Sequence, residues 1–380
     1  MNAVSSPQPR VPSRQATAAP HAIERRPLDP HLLAGAKCAF STRRVDFGRA
    51  QQLIAAGLAP QAGQLVLARV RRIRQHTRIE LASGRRAHLY PDDLVVLAYG
   101  NRYATDQFEA RVPDTLGPCH MVAAGGIASR MLSRNAAIKP ATEIEPLGIL
   151  ADAQGRPLDL RQFALADGGA AFDRAPCIAL LGSSMNAGKT TAAADLIYGL
   201  TRAGLRVAAA KVTGTGSGGD LWMMGDAGAR RVIDFTDAGH PSTDQLDPPA
   251  LGRILRCLGA ELQRGQPDIT LFEVADGIYQ RETAQLLAGG DLAPAVDGLL
   301  YASGDMVGAV SGARHLLERG FAVLGIAGKV TQSALAVREV EAACELPVYA
   351  RHHLQEPSVA QRLYQFVRTQ QRRAPLQAAG

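Results

Sequence analysis

The chain has 380 residues, 46% of them hydrophobic, and carries 42 Lys and Arg against 35 Asp and Glu for a formal net charge of +7. That length suits two domains and that hydrophobic share is ample for a core. No apolar run is long enough to span a membrane, no signal-peptide core opens the chain, and five cysteines (Cys38, Cys119, Cys177, Cys257, Cys344) lack C-x-x-C spacing, which argues against a zinc site or disulfide framework and for a reducing cytoplasm.

Residues 1–30 are rich in Pro, Ala, Ser and Arg and read as a disordered tail; the prolines spoil the amphipathic helix of a transit peptide. Residues 31–145 read as a helix followed by a small β-rich domain. Phe47, Ala50, Leu53, Ile54 and Leu58 have helical spacing within Pro30–Leu58. Short strand-like runs follow at Gly63–Val70, Thr77–Leu81, Ala87–Tyr90, Leu94–Tyr99 and Phe108–Val112, with turns at Ser83-Gly84 and Pro91-Asp92-Asp93. They predict a small β-barrel or sandwich. Cys119–Ile127 reads as a further strand ending in a Gly125-Gly126 turn.

Arg69, Arg71, Arg72, Arg74, Arg78, Arg85 and Arg86 crowd a segment whose one acid is Glu80. Such a patch attracts nucleic acid, a phosphorylated metabolite or an acidic partner, or is a solvated sheet face. The lack of base-stacking aromatics favours the solvated face.

Residues 146–175 read as a linker, with Pro146, Pro157 and Gly168-Gly169. Residues 176–355 alternate between strand and helix. Strands are expected at Ile178–Leu181, Val207–Val212, Ile269–Val274, Gly298–Ala302, Ala322–Ala327 and Val348–Ala350. Helices are expected at Lys189–Ala203, Pro248–Arg264, Arg281–Leu287, Val307–Arg319 and Ser333–Cys344. The fold class is therefore α/β, a mostly parallel sheet with helices on both faces, with ligands beyond the carboxyl ends of the strands. Residues 356–380 read as a C-terminal helix and tail.

The chemistry concentrates at Cys177–Leu200, a strand, a small-residue loop and an amphipathic helix. Backbone N–H groups across Ser183, Ser184, Met185, Asn186, Ala187, Gly188, Lys189, Thr190 and Thr191 would cradle phosphates. Lys189 reaches the β- and γ-phosphates, and Thr190 offers its hydroxyl to Mg²⁺. The usual first glycine is displaced: Gly182 precedes Gly188 by six and Ser183 fills its slot. Lys211 opens a Gly/Thr/Ser loop after the second strand. Glu273 and Asp276 follow the apolar run Ile269–Phe272, Glu273 as the metal contact and Asp276 as a nearby ligand or base. The Asp-rich stretch Asp220–Asp244, with Trp222 and His240, reads as a lid or substrate loop. Gly328–Ser333 and Tyr349–His353 occupy positions from which the base and ribose are reached. With no N-K-x-D signature, adenine is favoured over guanine.

GSSMNAGKTT (Gly182–Thr191), KVTGTGSGGD (Lys211–Asp220) and FEVADG (Phe272–Gly277) resemble the nucleotide-site motifs of the dethiobiotin synthetase group, which includes cobyrinic acid diamide synthases and the molybdopterin-guanine dinucleotide protein B family. The resemblance covers residues 176–350. It implies a P-loop NTPase using ATP and Mg²⁺, with Lys189, Lys211 and Glu273 as catalytic residues and Thr190 and Glu273 on the metal; Asp276 joins the catalytic set from its place after the strand, not from the resemblance. Val274-Ala275-Asp276 departs from the glycine-rich turn of that group, and the Trp222–Asp244 insert and the β-domain have no counterpart there. The implied activity is phosphorylation or ligation of a small, anionic, carboxylate-bearing substrate, with a homodimer expected. The alternatives are an NTPase switch driving a partner's assembly and, with nucleic acid as a less favoured partner, a 5′-hydroxyl nucleic-acid kinase.

Overall fold

Alternating apolar residues build the first half. In a computed structural model, described over residues 22–168 and 174–377, Leu65 and Leu67 pack into one cluster and Val66, Ala68 and Val70 into another, so the strand Leu65–Arg72 is covered on both faces. It pairs with Leu94–Tyr99, which pairs with Ile127–Arg134, then Cys119–Ala123, then Thr142–Ala151, which returns to Leu65–Arg72. This circuit closes a small barrel, filled by Val66, Val95, Leu97, Tyr99, Met121 and Ile144 among others.

Three sequence expectations differ here. The helix expected within Pro30–Leu58 is an α-helix only at Pro30–Ala34, followed by single 3-10 turns at Phe40–Thr42 and Phe47–Arg49; Gln52–Ala56 is a strand. Its Leu53 and Ile54 enter separate clusters, so adjacent apolar residues mark a doubly covered strand and not a helix face. Glu24–Pro27 pairs antiparallel with that strand, so the tail expected over 1–30 is ordered by backbone pairing from residue 24; residues 1–21 lie outside the described residues. The linker expected from 146 starts late, because Thr142–Ala151 is a barrel strand that tolerates Pro146 at a break in its register.

The second half is a six-stranded parallel sheet in the order Arg231–Asp234, Val207–Lys211, Ile269–Glu273, Cys177–Gly182, Gly298–Ala302, Val323–Ala327. Ala179 and Leu181 face one core, Ile178 and Leu180 the other. Helix Pro248–Gln263 covers the first through Leu251, Ile254, Leu255, Leu258 and Leu262; Asp247 caps its Ala250 N–H and Pro248 occupies its first turn. Helix Lys189–Arg202 covers the second through Ala193, Leu196, Ile197 and Leu200. The fold is thus an α/β P-loop sheet preceded by a β-barrel. Val348–Ala350 is not a strand: Val348 makes a single bridge to Ile326 before a helix begins at Arg351. Arg231–Asp234 and the helix Gly219–Asp226 have no counterpart in the sequence reading.

The Asp-rich stretch is a seam between the halves and not a lid. Arg43 Nη2 donates to Asp234 Oδ1 at 2.8 Å and Asp237 Oδ2 at 2.5 Å, and Arg111 Nη1 to Asp244 Oδ2 at 2.7 Å. Glu80, 1% exposed, accepts from Ser217 Oγ (3.1 Å), the Gly218 N–H (3.0 Å) and Trp222 Nε1 (2.9 Å). Gly125 lies so near Gly216 that a Cβ there would sit 2.1 Å from the Gly216 carbonyl oxygen, so the Gly-Gly turn serves backbone contact across the seam. Arg69, Arg71 and Arg74 of the basic patch meet Asp92, Glu145 and Glu143. Among the described residues no helix is long and apolar enough to cross a membrane.

Candidate functional site

The loop after Cys177–Gly182 is held from both sides. The Ser183 N–H donates to the Ala302 carbonyl at 2.9 Å, and the Lys329 N–H to the Ala187 carbonyl at 2.9 Å. Gly188 starts the helix at φ +101°, and a Cβ there would meet the Gly328 Cα at 3.0 Å. Only glycine suits that conformation and that crossing. Asn186 at φ +63° donates from Nδ2 to Asp106 Oδ2 of the barrel half at 2.9 Å. The helix end and the loop N–H groups make the anion site expected of a P-loop.

Parallel register carries the expected catalytic residues to the same edge. Lys211 and Glu273 are direct neighbours on adjacent strands, and Glu273 sits beside Leu180 of the phosphate-loop strand. Lys189 is buried; its Nζ donates to the Ser184 carbonyl (2.8 Å) and the Asp276 carbonyl (2.7 Å). Burial lowers its pKa, against the opposing pull of Glu273 and Asp276. Lys211 donates to Asp220; burial works against its charge, but Asp220 and Glu273 outweigh it and the pKa is raised.

Thr190 Oγ1 donates to Glu273 Oε1 at 2.8 Å, while Glu273 Oε2 is buried with no hydrogen-bond partner among the described residues. Burial, then Asp220, raises the Glu273 pKa. A hydroxyl beside a carboxylate with an orphaned oxygen fits a magnesium ion. No group of three or more His, Cys, Asp or Glu side chains comes together in a metal-binding set among the described residues, so such an ion would take its other ligands from phosphate and water.

Asp276 occupies the left-handed region at φ +61° and is 9% exposed. Burial raises its carboxyl to about 6, against the attraction of Lys189 and Lys211. A carboxyl poised there can act as a base near neutral pH.

These groups line a cavity of about 580 Å³ whose opposite wall is the barrel: Gln75, His76, Arg86, Arg102, Tyr103 and Gln107. Of this wall the sequence reading named only Arg86, within the basic patch; no local motif marks the others. His76 is held neutral, its pKa lowered to about 4 by burial and by Arg102. A second cleft of about 180 Å³ adjoins at Gly188, Thr191 and Lys329, and is completed by Gln332, Tyr349 and Arg351. The expected base loops, Gly328–Ser333 and Tyr349–His353, both contribute to it. Arg351 is anchored there by Asp195, at 2.8 and 3.1 Å. His240 lies outside both cavities and is kept neutral by burial and by Arg161 and Arg253, its pKa about 4.

No family model and no curated protein matches the chain. Among solved structures it is similar to chloroplast FtsY from Physcomitrella patens (15% identity, 55% of this chain and 70% of that one, TM-score 0.35). It is also similar to the signal recognition particle receptor FtsY from Elizabethkingia anophelis (12% identity, 52% and 68%, TM-score 0.35). A third is the 54 kDa signal recognition particle protein from Aeropyrum pernix K1 in complex with GDP (18% identity, 56% and 50%, TM-score 0.34). Overlaps this loose carry no argument about activity or nucleotide. The likeness to the dethiobiotin synthetase group rests on the three sequence motifs alone.

Proposed function

We propose that the chain is an ATP- and magnesium-dependent phosphoryl-transfer enzyme acting on a small anionic molecule held between the phosphate loop and the barrel. One observation carries this reading: the phosphate loop opens into a cavity faced by the barrel, with a base-competent carboxyl, Asp276, on its edge. Hydrolysis alone needs no such second wall.

In this reading the triphosphate lies on Ser183–Thr191, with its base toward Lys329 and Tyr349. Lys189 and Lys211 offset charge on the transferring group. Thr190 and Glu273 would hold magnesium, which supplies charge neutralisation at the phosphates. The acceptor oxygen forms the new P–O bond as the bond to the β,γ-bridging oxygen breaks. Where the acceptor is a hydroxyl, Asp276 takes its proton; a carboxylate acceptor needs no base and gives an acyl phosphate open to attack by nitrogen, the chemistry implied by the sequence resemblance.

A second reading, an NTPase switch, draws on the Lys189 contacts. Bound phosphate would compete with the Ser184 and Asp276 carbonyls for this ammonium, so the strand end Glu273–Gly277 would exchange partners as nucleotide arrives and leaves.

The test follows ADP release and new product masses together in a pooled metabolite extract, with Lys189→Ala as control. ADP matched by a new phosphorylated or amide product, absent with Lys189→Ala, is expected. ADP and phosphate without product, stimulated by a protein fraction, would replace this reading with the switch.

A further inference from the structure

Arg102 is the one arginine among the described residues that is buried, at 7% exposed. Arg43 and Arg111 of the seam meet carboxylates, Arg43 with Asp234 and Asp237 and Arg111 with Asp244. Among the described residues no carboxylate lies within salt-bridge distance of Arg102. Its Nη1 donates to the Val122 carbonyl and its Nη2 to Gln107 Oε1 at 2.9 Å, and its Nε is buried without a partner. A guanidinium offers five N–H donors, and only two bonds account for them here. Both acceptors are neutral, so they orient the fork without cancelling its charge. Phe108 lies 6.0 Å from the guanidinium carbon and helps to fix it. Burial lowers its pKa to about 10, and it remains a cation at neutral pH.

The groups facing it are mixed. Asp106 and Asp276 act on it from beyond salt-bridge distance; Asp106 accepts from Asn186 through Oδ2, and its Oδ1 is buried without a partner among the described residues. His76 is neutral, and Arg86 stands on the same wall. A buried, unpaired cation is costly unless a counter-charge arrives. Its position on the cavity wall says where that charge comes from.

We propose that Arg102 anchors an acceptor subsite: the second substrate carries a carboxylate or phosphate group that lies on this guanidinium, across the cavity from the phosphate loop. This deepens the phosphoryl-transfer reading and rests on it for the word acceptor. The anion site itself can be tested without it.

The full chain is titrated with succinate, citrate and inorganic phosphate at constant ionic strength, with and without magnesium and a non-hydrolysable ATP analogue, following thermal stability. The analogue occupies the phosphate loop, so an added anion then reports the opposite wall. Carboxylate and phosphate arms separate the two anion classes. At least one anion should stabilise the wild type saturably in both conditions. Arg102→Gln should weaken that effect about tenfold or more while analogue affinity stays within about twofold, as expected for a lost charge-assisted fork. Arg102→Lys, which keeps charge but not the fork, should bind the anion more weakly than wild type, and it decides the matter if Arg102→Gln does not fold. No saturable stabilisation of the wild type, or an undiminished effect in either variant, would overturn the proposal. So would a tenfold loss of analogue affinity in Arg102→Gln with the anion effect unmoved, which would give the guanidinium to the nucleotide. Failure of the analogue to bind wild type at all would instead refute the nucleotide reading.

Discussion

Glu80→Ala probes the link between the barrel and the catalytic edge. The carboxylate is 1% exposed and receives Ser217, Gly218 and Trp222 from the loop that follows Lys211. Removing it leaves the Gly218 N–H buried without an acceptor, at a cost of about 1–3 kcal/mol. Ser217 is half-buried and Trp222 is 42% exposed, so both can turn to water. Each then loses only the net value of a hydrogen bond, about 0.5–1.5 kcal/mol. The expected destabilisation is therefore about 2–6 kcal/mol. The helix Gly219–Asp226 starts at this point and carries Asp220, the partner of Lys211, so the lysine should lose its orientation too. Urea unfolding followed by fluorescence reads the seam directly, because Trp222 is the chain's single tryptophan. Nucleotide affinity, which depends on Lys189 and the loop, should change less than about threefold, while acceptor-dependent turnover falls by tenfold or more. A stability loss below about 0.5 kcal/mol, or nucleotide affinity falling in step with turnover, would refute this role for Glu80.

Three further outcomes follow from the same geometry. Arg43→Ala leaves Asp234 buried without a cation and Asp237 with only Arg44 at 3.9 Å, and calorimetry should show a loss of about 3–5 kcal/mol at neutral pH, partly recovered on acidification as a carboxyl protonates. For Asp276, burial raises the folded carboxyl to about 6 from an ordinary value of 3.8. Between those values the folded chain holds more proton than the unfolded one, so this group makes stability fall as pH rises through that window, whereas its work as a base makes turnover rise through about 6; Asp276→Asn should flatten both profiles relative to wild type. Glu273→Gln should raise the magnesium concentration needed for half-maximal turnover about tenfold while leaving metal-free nucleotide binding nearly intact, by titration of each separately.

The phosphate loop was legible because it is local: strand, loop and helix are continuous in sequence, and each is short enough for its period to show. The same holds for Pro248–Gln263, whose cap and apolar spacing read directly. Lys211 and Glu273 were legible as strand ends because parallel alternation aligns all carboxyl ends on one edge. What failed was whatever depends on two covered faces or on distant partners. Leu53 and Ile54 look helical when only one face is assumed apolar. Ile127–Arg134 escaped because Arg130, Leu132, Ser133 and Arg134 are exposed and break the alternation. The Asp-rich stretch reads as a solvated lid until Arg43 and Arg111, more than a hundred residues away, are seen to neutralise it. Arg102 gives no local signal at all, because an arginine's burial and lack of a counter-charge are properties of the packed wall.

The central claim is that one nucleotide and one acceptor share a cavity built by both halves. A structure determined with magnesium and a non-hydrolysable ATP analogue tests it most directly. The phosphates should lie on Ser183–Thr191 with the metal between Thr190 and Glu273, the base between Lys329 and Tyr349, and the space against Arg102 left to a second molecule. A γ-phosphate seated on Arg102, or a base directed into the barrel wall, would contradict the account.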